Sequence, residues 1–242
     1  MQYTVLGAAG ARLAQDFHGE LLGPEDPGYE EARKVFNGLV DRHPAMVARC
    51  GNVGDVVAAV NYARESGSPV AVRGGGHSAV GYGTCDEGIV IDLSPMKAIE
   101  VDPEARTARA DAGLTWADFD AATQEHGLAV TGGRFSTTGI AGLTLGSGSG
   151  WLERKCGLTA DNLISVELVT ADGCVLTASA DENPELFWGL RGGGGQLRGR
   201  DLVPVPPPRN RSDDLRWAAR LAARPRRGPV AVHARLHGRR AG

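Results

Sequence analysis

Between residues 132 and 151 the sequence reads GGRFSTTGIAGLTLGSGSGW. A flexible linker would not place Ile140, Leu143, Leu145 and Trp151 among the glycines. Apolar side chains interleaved with residues that lack a Cβ describe a packed loop whose backbone comes close to something bulky. Thr137 and Thr138 add two hydroxyls able to donate or accept at that surface. A second, shorter cluster, Gly74-Gly75-Gly76, follows the strand-like run Pro69 to Arg73 and precedes His77. A strand that ends in glycines frees successive backbone N–H groups to cradle an anion such as a pyrophosphate. Glycine makes up 35 of the 242 residues, about twice ordinary usage, and much of it sits in these clusters.

The common nucleotide motifs are absent. No Gly-x-x-x-x-Gly-Lys-Ser/Thr is present, and no Gly-x-Gly-x-x-Gly joins a strand to a helix with an acid downstream. The cysteines, at 50, 85, 156 and 174, are far apart and form no Cys-x-x-Cys pair. A zinc site or disulfide framework is therefore not expected, and reduced thiols suit a cytoplasmic protein. No metal site is assigned. His233 and His237 stand four apart, and we read that spacing as accidental. No run approaches the ~20 apolar residues of a membrane span, and no signal peptide is expected.

Local patterns predict an α+β fold in two small subdomains. A short helix is expected over Tyr29 to Phe36 and a strand over Ala45 to Cys50. A helix follows from Asn52, with Asp55 as candidate cap and Gly67 at its end. Pro69 to Arg73 is a second strand, completing a βαβ order. Gly88 to Leu93 reads as a buried strand. Asp102-Pro103-Glu104 and Ala171-Asp172-Gly173 each mark a hairpin. Thr115 caps a helix that runs to Gly127, and Asn183 to Trp188 form a short helix.

Four segments in this order resemble the FAD-linked oxidases of the berberine bridge enzyme type. They are Arg73-Gly-Gly-Gly-His77-Ser78, the glycine run from Thr138 to Trp151, Arg154-Lys155-x-Gly157-Leu158-x-x-Asp161-Asn162, and Leu190-Arg-Gly-Gly-Gly-Gly195. The resemblance implies a PCMH-type (vanillyl-alcohol-oxidase) FAD-binding domain over residues 38–195, after an N-terminal segment 1–37. It implies FAD contacts at Arg73, Gly74, Gly75, Gly76, His77, Ser78, Gly81, Gly133, Thr137, Thr138, Gly139, Gly142, Gly146, Gly148, Gly150, Asn162 and Val166. It also implies a covalent bond from His77 to the flavin 8α-methyl carbon. Some members add a cysteinyl bond; Phe135 stands at that position here, so a single bond is expected. Ser147 and Ser149 occupy a stretch that is often all glycine. The implied partner is a small-molecule substrate, oxidised by hydride transfer to flavin with oxygen as acceptor. No residue is assigned as catalytic base: Glu153, Asp161 and His126 are read as structural.

The resemblance stops at Gln196. Reading one base out of frame, Gln196 to Pro207 can encode Asn-Phe-Gly-Val-Val-Thr-Ser-Phe-Arg-Phe-Arg-Leu, the kind of strand the family has there. A frameshift at or just before Gln196 is therefore expected, with residues 196–242 an Arg/Pro-rich, disordered tail and the substrate domain missing. An inactive remnant that binds FAD weakly or not at all is the alternative. Charge divides at the same place: residues 1–195 carry 14 basic and 26 acidic side chains, and residues 196–242 carry 12 arginines and 3 aspartates. The frameshift accounts for the basic tail, so neither nucleic acid nor membrane is expected as a partner. The sequence holds no signal of oligomeric state.

Overall fold

The structure, a computed structural model, describes residues 7–194 and the strands 216–220 and 222–223. The first subdomain contains α1 (Gly7–Asp16), β1 (Glu20–Leu22), α2 (Tyr29–Ala32), β2 (Met46–Arg49), α3 (Val53–Ser66), β3 (Val70–Arg73) and β4 (Ile89–Asp92). Its sheet has the order β1-β2-β4-β3, with β4 parallel to both β2 and β3. All four residues of β4 are buried. Alternation along the strand sends Ile89 and Ile91 into a core with Val56, Ala59 and Tyr62 of α3, and Val90 into one with Val47, Ala71 and Tyr29. The predicted βαβ unit is thus present, as β2–α3–β3.

The expected cap of α3 is corrected. Asn52 is the cap and its side chain accepts the Asp55 N–H at 3.0 Å. The Asp55 carboxylate instead turns inward and accepts the N–H groups of His18 and Gly51, both at 2.8 Å. Asn52 stands at the ordinary cap position, three residues before its donor. The predicted helix from Tyr29 is only Tyr29–Ala32, because the chain past Ala32 is drawn onto the glycine loop.

The second subdomain contains β5 (Ile99–Asp102), β6 (Thr107–Asp111), α4 (Trp116–Gln124), β7 (Leu128–Ala129), α5 (Ile140–Leu145), α6 (Glu153–Cys156), β8 (Leu163–Val169), β9 (Val175–Ser179), α7 (Pro184–Leu190), β10 (Arg216–Arg220) and β11 (Ala222–Ala223). Both predicted hairpins form, as β5–β6 and β8–β9. Thr115 caps α4 through a capping box with Asp118. Trp116 and Phe119 meet edge to face, with centroids 5.4 Å apart, inside a core with Ile140, Leu163, Val166 and Phe187.

The larger sheet has the order β5-β6-β10-β8-β9. Its middle strand, β10, pairs antiparallel with β6 on one side and β8 on the other. Arg109 on β6 reaches Glu167 on β8 at 2.7 Å, spanning the strand between them. Two expectations meet this architecture. The segment assigned to 1–37 is integrated, since β1 pairs with β2. Most of the tail expected to be structureless, with His233 and His237, lies outside the described residues, but 216–220 and 222–223 are strands.

Candidate functional site

The glycine loop leaves the C-terminal end of β3, where two contacts fix its direction. Arg73 is buried and forms a forked ion pair with Asp92 at the end of β4, Nη2 to Oδ2 at 2.8 Å and Nε to Oδ1 at 3.3 Å. Its third contact is the Lys34 carbonyl at 3.1 Å. Arg73 therefore turns into the protein and anchors the loop from below.

Beyond it, Gly75 packs backbone to backbone on Gly139. A Cβ at Gly75 would lie 2.6 Å from the Gly139 Cα. The loop thereby meets the second glycine cluster where α5 begins, and Thr115 bridges to Gly139 alongside. Among the described residues, the backbone N–H groups of 74 through 78 find no protein acceptor. Backbone amides without a protein acceptor beside a glycine-lined surface suit the anionic oxygens of a pyrophosphate.

His77 stands at the end of this run. Its Nε2 lies 2.9 Å from Thr137 Oγ1 and its Nδ1 lies 3.4 Å from Thr138 Oγ1. Phe36 stacks on the ring, with centroids 3.9 Å apart and planes inclined by 18°. Burial pushes the imidazole pKa down, which favours its neutral form. A cleft of about 730 Å³ opens beside these groups, lined in part by Phe36, Gly74, Gly75, Gly76, His77 and Thr137.

The structure brings together Gly74, Gly75, Gly76, His77, Thr137, Thr138 and Gly139. Ser78 and Gly81 close the loop's return: Ser78 Oγ accepts the Tyr82 N–H at 3.1 Å, and Gly81, at φ 78°, backs onto Val40. At the other expected contacts the structure gives these protein neighbours. Gly133 leaves room for Trp116 and Leu143, Gly148 for Thr159, and Gly150 for the Gly132 carbonyl. Gly146 ends α5, and Gly142 within it has open space where a Cβ would be. The Asn162 amide donates to the Cys156 and Leu158 carbonyls at 2.9 and 2.8 Å. Val166 is part of the hydrophobic core. Phe135 is exposed.

Sequence reading missed the strap 34–42. Besides Phe36, it supplies the Asn37 amide to the Ala79 carbonyl at 2.8 Å and the Arg42 guanidinium to the Thr84 carbonyl at 2.8 Å. It also missed Asp92, whose only signal was an acid closing an apolar strand. Ser147 sits at φ 82°, a left-handed conformation that costs a serine about 1 kcal/mol relative to glycine. Ser147→Gly is expected to raise stability by about 0.5–1 kcal/mol, read as a higher midpoint in urea unfolding.

A glycine-lined loop that ends beside a stacked histidine is an arrangement that can receive a nucleotide cofactor. The comparisons say which kind. Residues 44–179 match the family described as FAD binding domain. The (R)-6-hydroxynicotine oxidase of Paenarthrobacter nicotinovorans is 40% identical over 176 residues, covering 73% of this chain and 38% of the relative. The solved structure of Physcomitrella patens BBE-like 1 superposes with a TM-score of 0.76 at 28% identity, covering 88% of this chain and 44% of that one. The glucooligosaccharide oxidase of Acremonium strictum, described with a 6-S-cysteinyl, 8α-N1-histidyl FAD, gives 0.76 at 28%, covering 88% and 42%. The chain belongs to the PCMH-type FAD-binding oxidoreductases of the berberine bridge enzyme-like family. It spans about two fifths of the length of the relatives it matches. Among the described residues no helix is long and apolar enough to cross a membrane.

Proposed function

We propose that the amides of 74–78 hold the pyrophosphate of FAD and that His77 is its single covalent tether, through the 8α-methyl carbon. Thr137, Thr138 and Gly139 close the same surface from the other side. When bound, the flavin supplies hydride acceptance from a small-molecule C–H or alcohol substrate and passes the electrons to oxygen. The protein's part is to bind it, orient it and shield it. The observation that carries this reading is the meeting of the 74–77 loop with Thr137, Thr138 and Gly139 around the His77 imidazole. The histidyl linkage in the Acremonium strictum oxidase supports it, and Phe135 offers no thiol for a second bond.

Acid precipitation of the purified protein tests the tether. Yellow colour should stay with the precipitate of the wild-type chain and wash out of His77→Ala. Colour released from the wild type would overturn the covalent assignment. A second reading rests on the share of the relatives that is spanned: over this span alone the chain binds FAD weakly, or not at all, and turns over no substrate. Colourless protein that takes up no added FAD would favour it.

A further inference from the structure

His77 is gripped from three directions, and one grip comes from the segment that sequence reading set apart. Phe36 lies flat on the ring, and its own N–H donates to the Gly76 carbonyl at 3.2 Å. That bond ties the stacking residue to the loop that carries the histidine. The Lys34 carbonyl, Asn37 amide and Arg42 guanidinium lace the flanking strap to the same loop. Phe36 remains 63% exposed, so core packing does not explain its placement. The two ring nitrogens are held unequally: the Thr137 contact at Nε2 is 0.5 Å shorter than the Thr138 contact at Nδ1 (2.9 against 3.4 Å).

We infer that Phe36 and Thr137 are positioning residues for flavin attachment. Phe36 fixes the ring plane, and Thr137 Oγ1 accepts from Nε2–H and so selects the tautomer with a free lone pair at Nδ1. The tighter contact holds the nitrogen that keeps its proton, and the looser one yields the nitrogen that reacts. The inference rests on the proposed tether. Attachment forms one bond between Nδ1 and the 8α carbon and breaks one C–H bond of the methyl group. The imidazolium left by that bond sheds its Nε2 proton. The two electrons pass by way of the flavin to dioxygen, which leaves with both hydrogens as hydrogen peroxide. An imidazole held in plane by Phe36 and in one tautomer by Thr137 meets the geometric demand of that step without further ordering.

Two measurements on the full chain test this. Nitrogen-15 NMR of the imidazole in flavin-free protein should show the Nε2–H tautomer in the wild type and in Thr137→Ser, and a mixture in Thr137→Val. Covalent incorporation after adding FAD, followed as flavin fluorescence in denatured protein, should be about five-fold slower in Phe36→Ala and near the wild-type rate in Phe36→Trp. Non-covalent FAD affinity, measured on each variant before attachment begins, separates slower attachment from weaker binding. An Nδ1–H tautomer in the wild type would overturn the assignment of Thr137. Wild-type incorporation in Phe36→Ala would overturn that of Phe36. Should FAD bind but never attach to the wild type, the tether fails, and the inference that rests on it fails too. The NMR result would then show only whether Thr137 sets the tautomer.

Discussion

Gly139→Ala should lower stability by about 1–3 kcal/mol and empty the protein of flavin, whereas Gly142→Ala, three residues on, should do neither by the same route. Gly139 has φ −67° and ψ 136°, which alanine adopts freely, so the penalty is not conformational. It is steric: a Cβ there would lie 2.9 Å from the Cα of Gly75, and both sides of the contact are backbone. Neither loop can yield without moving the 74–78 amides or the start of α5. At Gly142 a Cβ meets nothing within 4 Å. Alanine in that helical position should raise stability by about 0.5–1 kcal/mol. Urea unfolding and flavin content, measured on both variants, separate the two roles. Gly142→Ala losing flavin while gaining stability would place residue 142 against the cofactor itself.

The second large effect is expected at Asp92. Its carboxylate receives the buried Arg73 fork, the Ser94 N–H at 3.1 Å and the Ser94 hydroxyl at 3.0 Å, with the Arg49 guanidinium 3.7 Å away. Asp92→Ala strands a guanidinium that is only 7% exposed, at a cost of about 3–5 kcal/mol. Arg73→Met should cost less, because Asp92 keeps Arg49 and Ser94 around it. Combining Arg73→Met with Asp92→Leu should recover much of the loss, since the site is then apolar on both sides. Equal destabilisation by the two single changes, measured by urea unfolding, would show that the buried guanidinium is not what makes Asp92 costly to lose.

Much of the fold was legible because periodicity and punctuation agreed. Apolar runs such as Ile89–Asp92, the turn at Asp102-Pro103-Glu104 and the Thr115 cap are local signals, and each formed as written. The site was legible in part. Glycines announced the meeting of Gly75 with Gly139, and the same signal included Gly133, Gly148 and Gly150, where Trp116, Thr159 and Gly132 leave no room for a side chain. A glycine records close approach without saying to what. Phe36 and Asp92 gave no pattern because their partners, at 77 and 73, are chosen by tertiary packing across the loop. The Asn52 and Asp55 pair misled for a local reason: both can cap, and only the buried surroundings of Asp55 decide between them.

The place of β10 has a consequence for how the molecule is made. β6 and β8 are separated by more than fifty residues of sequence, and their backbones do not pair with each other. Each waits for a strand encoded after both. During synthesis the first sheet, complete by Asp92, can close while the rest is still being translated. The second stays split into two hairpins, each with a bare edge, until residue 220 is available. Such late, long-range closure is slow and leaves unpaired edges open to other nascent chains. The yield of this protein in cells should therefore depend on the speed of translation and on chaperone supply more than on the finished fold's stability.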